Sequence, residues 1–170
     1  LVYRISERIG SVLGEHAIAG LVVREAATVL GAHTAELWVK VGADLVLAAA
    51  LKDKPAAEPD LAVQSTVATG CAWVREGSSG EAAAAAVALP ESPGSCLGAL
   101  VLRGRPAGRA YLSGEIKLLT TIAALAAAFI RNERLAEKAR RAQTKRREDE
   151  VARQIHRGLL PRHDPLFAGL

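Results

Sequence analysis

The sequence is poor in the residues on which most sites and scaffolds are built. It holds two cysteines, four histidines and no methionine in 170 residues. Two cysteines, Cys71 and Cys96, are too few for a disulfide framework, and no CxxC pair or His/Cys cluster gives the ligand spacing of zinc. Both thiols are expected to be free and partly buried in a reducing compartment. Aromatics are scarce, with two each of Trp, Tyr and Phe. A core must therefore be built from Ala, Leu and Val, with short distances between helices. No run reaches the ~18 unbroken apolar residues of a membrane span, and no secretory leader is visible. The expectation is a cytoplasmic protein without a membrane partner. There is no initiating methionine, and the first residue already belongs to a helical pattern, so the chain reads as a segment of a longer protein.

What is present is an apolar half and a modest positive charge of +4. Half the residues being apolar allows a compact core without crosslinks or metal. The basic residues Lys138, Arg140, Arg141, Lys145, Arg146 and Arg147 cluster, but Glu148, Asp149 and Glu150 follow at once and no aromatics are interleaved. That pattern describes a solvated helical face rather than a nucleic-acid surface.

Apolar residues at Val2, Ile5, Ile9 and Val12 share one face of a helix. A second helix carries Ile18, Leu21, Val22, Ala26, Val29 and Leu30, with Gly31 as its left-handed terminator. The period then falls to two. Leu37, Val39 and Val41 alternate with Glu36, Trp38 and Lys40, and a turn at Gly42-Ala43-Asp44 leads to Leu45, Leu47, Ala49 and Leu51, a β-hairpin. Lys52 to Asp60 reads as loop, Leu61 to Ala68 as a short helix stopped at Gly70, and Cys71 to Val74 as a strand. Alanines 82 to 86 favour helix by propensity, yet their position between a glycine loop and Leu89-Pro90 predicts a strand. Ser95 to Arg103 is a further strand. Ser113 is placed as the N-cap of the last helix, with Glu115 in its first turn, where the helix dipole favours a carboxylate. Ile116, Leu119, Ile122, Ala123, Ala126, Phe129 and Ile130 make its apolar face, the pattern thins after Leu135, and Pro161 ends it. The predicted class is α+β: an antiparallel sheet with helices on one face and a long C-terminal exit helix.

Ala32 through Trp38, Val67 through Val74, Leu97 through Leu102, and Leu112 on to Asn132 resemble, in that order, the segments of a GAF domain. GAF domains commonly carry a V-x-x-T-G segment, an L-G-x-L strand and an L-L-x-x-I-A-x-x-A-A helix at those places, the first being one residue shorter here as Val67-Ala68-Thr69-Gly70. The resemblance covers residues 1–133 and implies a sensory or dimerisation module with a small-molecule pocket between the sheet and its capping loops. By that resemblance Trp38, Cys71 and Trp73 are candidates for the pocket lining, beside the plainer reading that they are packing residues. The ligand stays unknown. The N-K-x-F-D-E signature of cyclic-nucleotide binders is absent, the only asparagine being Asn132. The aromatic and histidine surroundings of a bilin cysteine are missing around Cys71 and Cys96, and no histidine falls in the capping region to ligate haem.

Residues 148–165 resemble the entry to PPM-type, SpoIIE-like bacterial serine phosphatases, E-x-x-x-A-x-x-I-Q-x-x-L-L-P-x-x-x-P. Glu148, Ala152, Ile155, Leu159, Leu160, Pro161 and Pro165 match, while His156 replaces Gln. The resemblance implies a linker helix over residues 134–160, the start of a phosphatase domain over 161–170, and a phosphatase in cis whose catalytic and metal-binding residues lie further on, so no catalytic or metal residue is assigned. A second resemblance, of Val151 through His156 to the phosphoacceptor helix of sensor histidine kinases, is weakened by Arg157 where an acidic residue belongs and by the helix-breaking Pro161. The expected activity is regulation of that phosphatase by a homodimer, with a small-molecule effector possible in the pocket. Its interface candidates are Leu118, Leu125, Phe129 and Leu135, because Leu118 to Leu135 carry apolar residues on more faces than one sheet needs. The alternatives are a kinase input module and a ligand-free structural dimerisation module.

Overall fold

The structure, a computed structural model, describes residues 14–51, 58–78, 82–105 and 109–159. The helix expected over Val2–Leu13, most of the Lys52–Asp60 loop and the stop at Pro161 lie outside the described residues. The chain divides into two compact units, Leu1–Glu133 and Arg134–Leu170. The elements are α1 (Glu15–Leu30), β1 (Thr34–Val41), β2 (Asp44–Leu51), α2 (Leu61–Thr69), β3 (Trp73–Arg75), β4 (Ala84–Ser92), β5 (Ser95–Arg103) and α3 (Ser113–Leu159). The strands form one antiparallel sheet in the order β2-β1-β5-β4-β3.

α1 buries Ile18, Leu21, Val22, Ala26 and Leu30 along one stripe and stops at Gly31, whose φ of 63° is the left-handed conformation. With the first half of α3 it covers one face of the sheet, packing Leu37 and Val39 of β1, Ala85, Val87 and Leu89 of β4, and Leu100 and Leu102 of β5. The expectation of helices on a single face holds for these two. α2 departs from it, for it packs on the opposite face over Trp38, Ala86, Ala99 and Val101.

The hairpin is interrupted. Leu37 pairs with Ala49 but Trp38 pairs with Leu47, which leaves Ala48 as the extra residue of a β-bulge. The bulge exchanges faces along β2, so that Leu45 and Leu47 pack in the Trp38 cluster while Ala48 and Ala49 join the main core. Strict alternation from Leu45 to Leu51 is therefore not kept.

The alanine run is a strand, as its context predicts. Ala84 to Ala86 are held between β3 and β5, and two ladders of backbone hydrogen bonds override a helix propensity worth a few tenths of a kcal/mol per residue. The strand passes Pro90 through irregular pairing, Leu89 with Gly98 and then Pro90 with Cys96, a position where a missing N–H is tolerated. At Gly98 the backbones of β1 and β5 come so close that a Cβ would stand 1.9 Å from the Trp38 carbonyl oxygen and 2.9 Å from the Val39 Cα. Only glycine fits.

α3 begins one residue earlier than its expected cap. The Leu112 carbonyl accepts from the N–H groups of Glu115 and Ile116 at 2.9 and 3.0 Å, so Leu112 holds the cap position and Ser113 is the first helical residue. The Glu115 carboxylate accepts from the Leu112 N–H at 2.7 Å, the reciprocal arm of a capping box. It also receives the Arg105 guanidinium through both oxygens, and Arg105 lies over the Tyr111 ring, 5.0 Å from its centroid. This fork ties the end of β5 to the first turn of α3. By length and mean hydropathy alone α3 is apolar enough to cross a membrane, but Leu119, Ile122, Ala123, Ala126, Ala127 and Ile130 are buried in the core.

Two outcomes follow from these contacts. Gly98→Ala must push apart two central strands, and it is expected to lower stability by about 3 kcal/mol, as overpacking does. An unchanged urea midpoint would contradict the close approach. The Arg105 fork, followed by the Leu112 N–H, holds the Glu115 carboxyl below the usual range. A carboxyl with a lowered folded pKa stabilises fully above its ordinary pKa, and that contribution is lost as pH falls through the lowered value. Urea midpoints taken from pH 7 to pH 3 should fall less steeply in Glu115→Gln than in the parent chain.

Candidate functional site

The face of the sheet beneath α2 gathers the polar side chains. α2 starts at Asp60, whose Oδ1 accepts from the Val63 N–H at 3.2 Å, and ends at Gly70 with φ 70°. It presents Ala62, Val63 and Thr66 inward, with Val67 half-buried. Under it lies Trp38, 1% exposed, against Ala62, Val63, Ala86, Ala99 and Val101. The indole Nε1 donates to Glu36 Oε2 at 3.3 Å, and Arg103 Nη1 donates to the same oxygen at 3.2 Å. Arg103 Nη2 donates to Asp60 Oδ2 at 2.5 Å. One guanidinium thus joins β1, the central strand β5 and the cap of α2.

Glu36 is 2% exposed, and a carboxylate at that depth needs an ionic partner and hydrogen-bond donors. Arg103 and Trp38 supply both. Asp60 is nearer solvent. Burial opposes its ionisation, but the Arg103 guanidinium and the N–H groups of Val63 and Ala62 prevail and hold its carboxyl below the usual range.

A cavity of about 280 Å³ opens where the C-terminal turn of α2 meets the β4–β5 hairpin. Val67, Thr69, Gly70, Ala88, Pro90 and Cys96 form most of its wall. Cys96 is 5% exposed, and its thiol donates to the Val67 carbonyl at 3.3 Å. The volume suits a small organic molecule, just below the range of drug-sized pockets. The lining offers hydroxyl, thiol and backbone groups but no charged side chain, which favours a neutral ligand.

The residues expected to line a pocket are not gathered there. Trp38 fills the space between sheet and α2, Cys71 is exposed, and Trp73 is half-buried at the edge of the Trp38 cluster with the Arg75 guanidinium 5.8 Å from its ring centroid. None of the three lines the cavity. Among the described residues no group of three His, Cys, Asp or Glu side chains is placed to hold a metal ion. Leu118, Leu125 and Phe129 are half-buried on α3, Leu118 and Phe129 packing against the core, and Leu135, in the second unit, is 63% exposed.

Glu36, Asp60 and Arg103 escaped the sequence reading. Alternation puts Glu36 and Trp38 together on the face of β1 opposite Leu37 and Val39, and because the sheet is covered on both faces that side is buried as well. The available signal was Asp60 directly before the helical pattern of Leu61, an N-cap residue at an N-cap position.

No family model matches the chain, and no curated protein matches it. Solved structures do. The GAF domain from an Acinetobacter phosphoenolpyruvate-protein phosphotransferase aligns over 79% of this chain and 92% of its own, with TM-score 0.67 and 15% identity. The GAF-B domain of DevS from Mycobacterium smegmatis aligns over 76% and 99%, with TM-score 0.58 and 22% identity. The free methionine-R-sulfoxide reductase from Neisseria meningitidis, solved in complex with its substrate, aligns over 79% and 89%, with TM-score 0.67 and 16% identity. The chain has the GAF fold. At these identities the likeness concerns the fold alone.

The two thiols should differ in reactivity. In native protein an aromatic disulfide reagent is expected to modify the exposed Cys71 rapidly and Cys96 at least about tenfold more slowly, since Cys96 is 5% exposed and its thiol is engaged by the Val67 carbonyl. A Cys71→Ser chain that kept a fast-reacting native thiol would refute the burial of Cys96.

Proposed function

We propose that this GAF-fold unit is a regulatory input module that homodimerises along its exit helix and controls a PPM-type serine/threonine phosphatase in cis, in the cytoplasm. The observation that carries the reading is the character of α3. In the first unit Leu118, Leu125 and Phe129 fall within about 40° of one another at 100° per residue, a half-buried apolar flank beside the stripe that faces the core. In the second unit nearly every described side chain from Ala136 to Arg153 is exposed. The recorded ion pairs there, Glu137 with Arg140 and Arg141, are local to the helix and contribute little each. A solvated helix of this kind is marginal in water without a packing partner, and a second copy or a following domain supplies one.

The phosphatase assignment rests on the matches at Glu148, Ala152, Ile155, Leu159, Leu160, Pro161 and Pro165. Arg157, a cation beside His156, disfavours the kinase alternative because it cannot accept the imidazole proton. The similar GAF domains of a phosphotransferase and of DevS are parts of larger proteins by name, which suits an input role. A small neutral effector would occupy the cavity beside Cys96. One observation favours a second reading, a ligand-free assembly module: beneath α2 the Trp38 side chain is 1% exposed and packs in one cluster with Ala62 and Val63.

Sedimentation equilibrium at tens of micromolar should return a dimer, and Leu125→Glu should shift it toward monomer; a parent chain that sediments as a monomer sinks the dimer. The intact gene product should hydrolyse p-nitrophenyl phosphate in the presence of manganese, and failure to do so removes the phosphatase. Native mass spectrometry separates the effector-bound reading, a mass adduct of a small molecule, from the ligand-free one.

A further inference from the structure

α2 is fastened to the sheet by small side chains and a few polar ties. Its fully buried side chains are Ala62, Val63 and Thr66, and Val67 is half-buried. Its largest apolar residue, Leu61, is 72% exposed. A helix of nine residues has no stability of its own in water, so these tertiary contacts decide whether it stays. One of them opposes closure: the Thr66 hydroxyl is buried with no hydrogen-bond partner, and water would satisfy it if the helix lifted.

The Cys96 thiol bond to the Val67 carbonyl holds the C-terminal end of α2 weakly, and the charged tie at its N-terminal end is the Arg103 fork, whose two arms differ. The Glu36 side chain is 2% exposed and also accepts from the Trp38 indole, so giving up Arg103 would leave a buried carboxylate without its ionic partner. Asp60 has a side chain 47% exposed, so its carboxylate passes to solvent with little loss. One arm is permanent and the other can let go.

We propose that α2 is a releasable lid over Trp38, latched to the sheet by the Arg103–Asp60 arm while the Arg103–Glu36 arm stays closed. Opening bares an apolar floor of Trp38, Ala86, Ala99 and Val101 with the sheet intact. The closed form is the resting state, and the unsatisfied Thr66 hydroxyl keeps the difference between the two states small.

The test separates the latch from the cap. Asn caps a helix as well as Asp, so Asp60→Asn preserves the Val63 hydrogen bond and removes only the charge. Trp73→Phe leaves Trp38 as the sole tryptophan. In that background Asp60→Asn is expected to raise acrylamide quenching of Trp38 about threefold and to speed amide exchange over Gln64 to Gly70 about fivefold. The amides of Leu100 and Leu102 in β5 should be unchanged. Thr66→Val should move both α2 readouts the other way. The lid is overturned if Asp60→Asn leaves quenching and α2 exchange unchanged, or if β5 exchange rises by the same factor, which is general unfolding. It is overturned equally if Thr66→Val speeds α2 exchange.

Discussion

The organisation of this domain depends on the contact between the backbones of β1 and β5 at Gly98. The Trp38 carbonyl occupies the place where any other residue would carry its Cβ, and the pairing of Trp38 with Ala99 and of Val39 with Gly98 is possible only on that condition. The same stretch of β1 faces the bulge at Ala48 on its other side, so the register of the hairpin changes where the two inner strands press closest. Trp38 is thereby seated under α2, and Glu36, two residues earlier on the same face, reaches Arg103.

From that point the two faces of the sheet diverge in chemistry. The face under α1 and α3 is filled mainly by Leu, Ile, Val and Ala, with Tyr111 and Phe129 among them. The face under α2 carries a buried carboxylate, an indole N–H and a guanidinium among small apolar side chains. A buried ion pair adds little net stability over an apolar substitute of the same shape, but losing one member is costly. The Glu36–Arg103 pair is therefore better understood as fixing where the capping helix may dock than as holding the sheet together.

Much of the fold was legible in the sequence because local and global preferences agree there. Gly31 and Gly70 terminate helices as their positions indicate, the Leu45–Leu51 partner strand exists, and Ser95–Arg103 is a strand over its expected span. The alanine run was recoverable from context, because it lies between a glycine loop and Leu89-Pro90. The Trp38 site was not legible. Period-two alternation assumes one wet face, and Glu36 between Ala35 and Leu37 fits a half-exposed strand as well as a buried one. Whether a charged residue faces water or a distant arginine depends on a pairing between positions 36 and 103, and no local pattern encodes that separation. The bulge at Ala48 was hidden for a similar reason: β2 alternates acceptably in either register, and its partner decides between them.

The alanines of β4 give this protein an inverted mutational profile. Most cores are injured by truncation, because removing methylenes leaves holes. Here the strand under both layers is already cut back to methyl groups from Ala83 to Ala86, all fully enclosed. Nothing further can be removed there except by exchange for glycine, whereas every larger residue must displace a neighbouring helix or strand. Sequence drift along this strand is therefore confined from above in size rather than from below, and the spacing between the layers is recorded in residues that look, by composition, like the least informative in the chain.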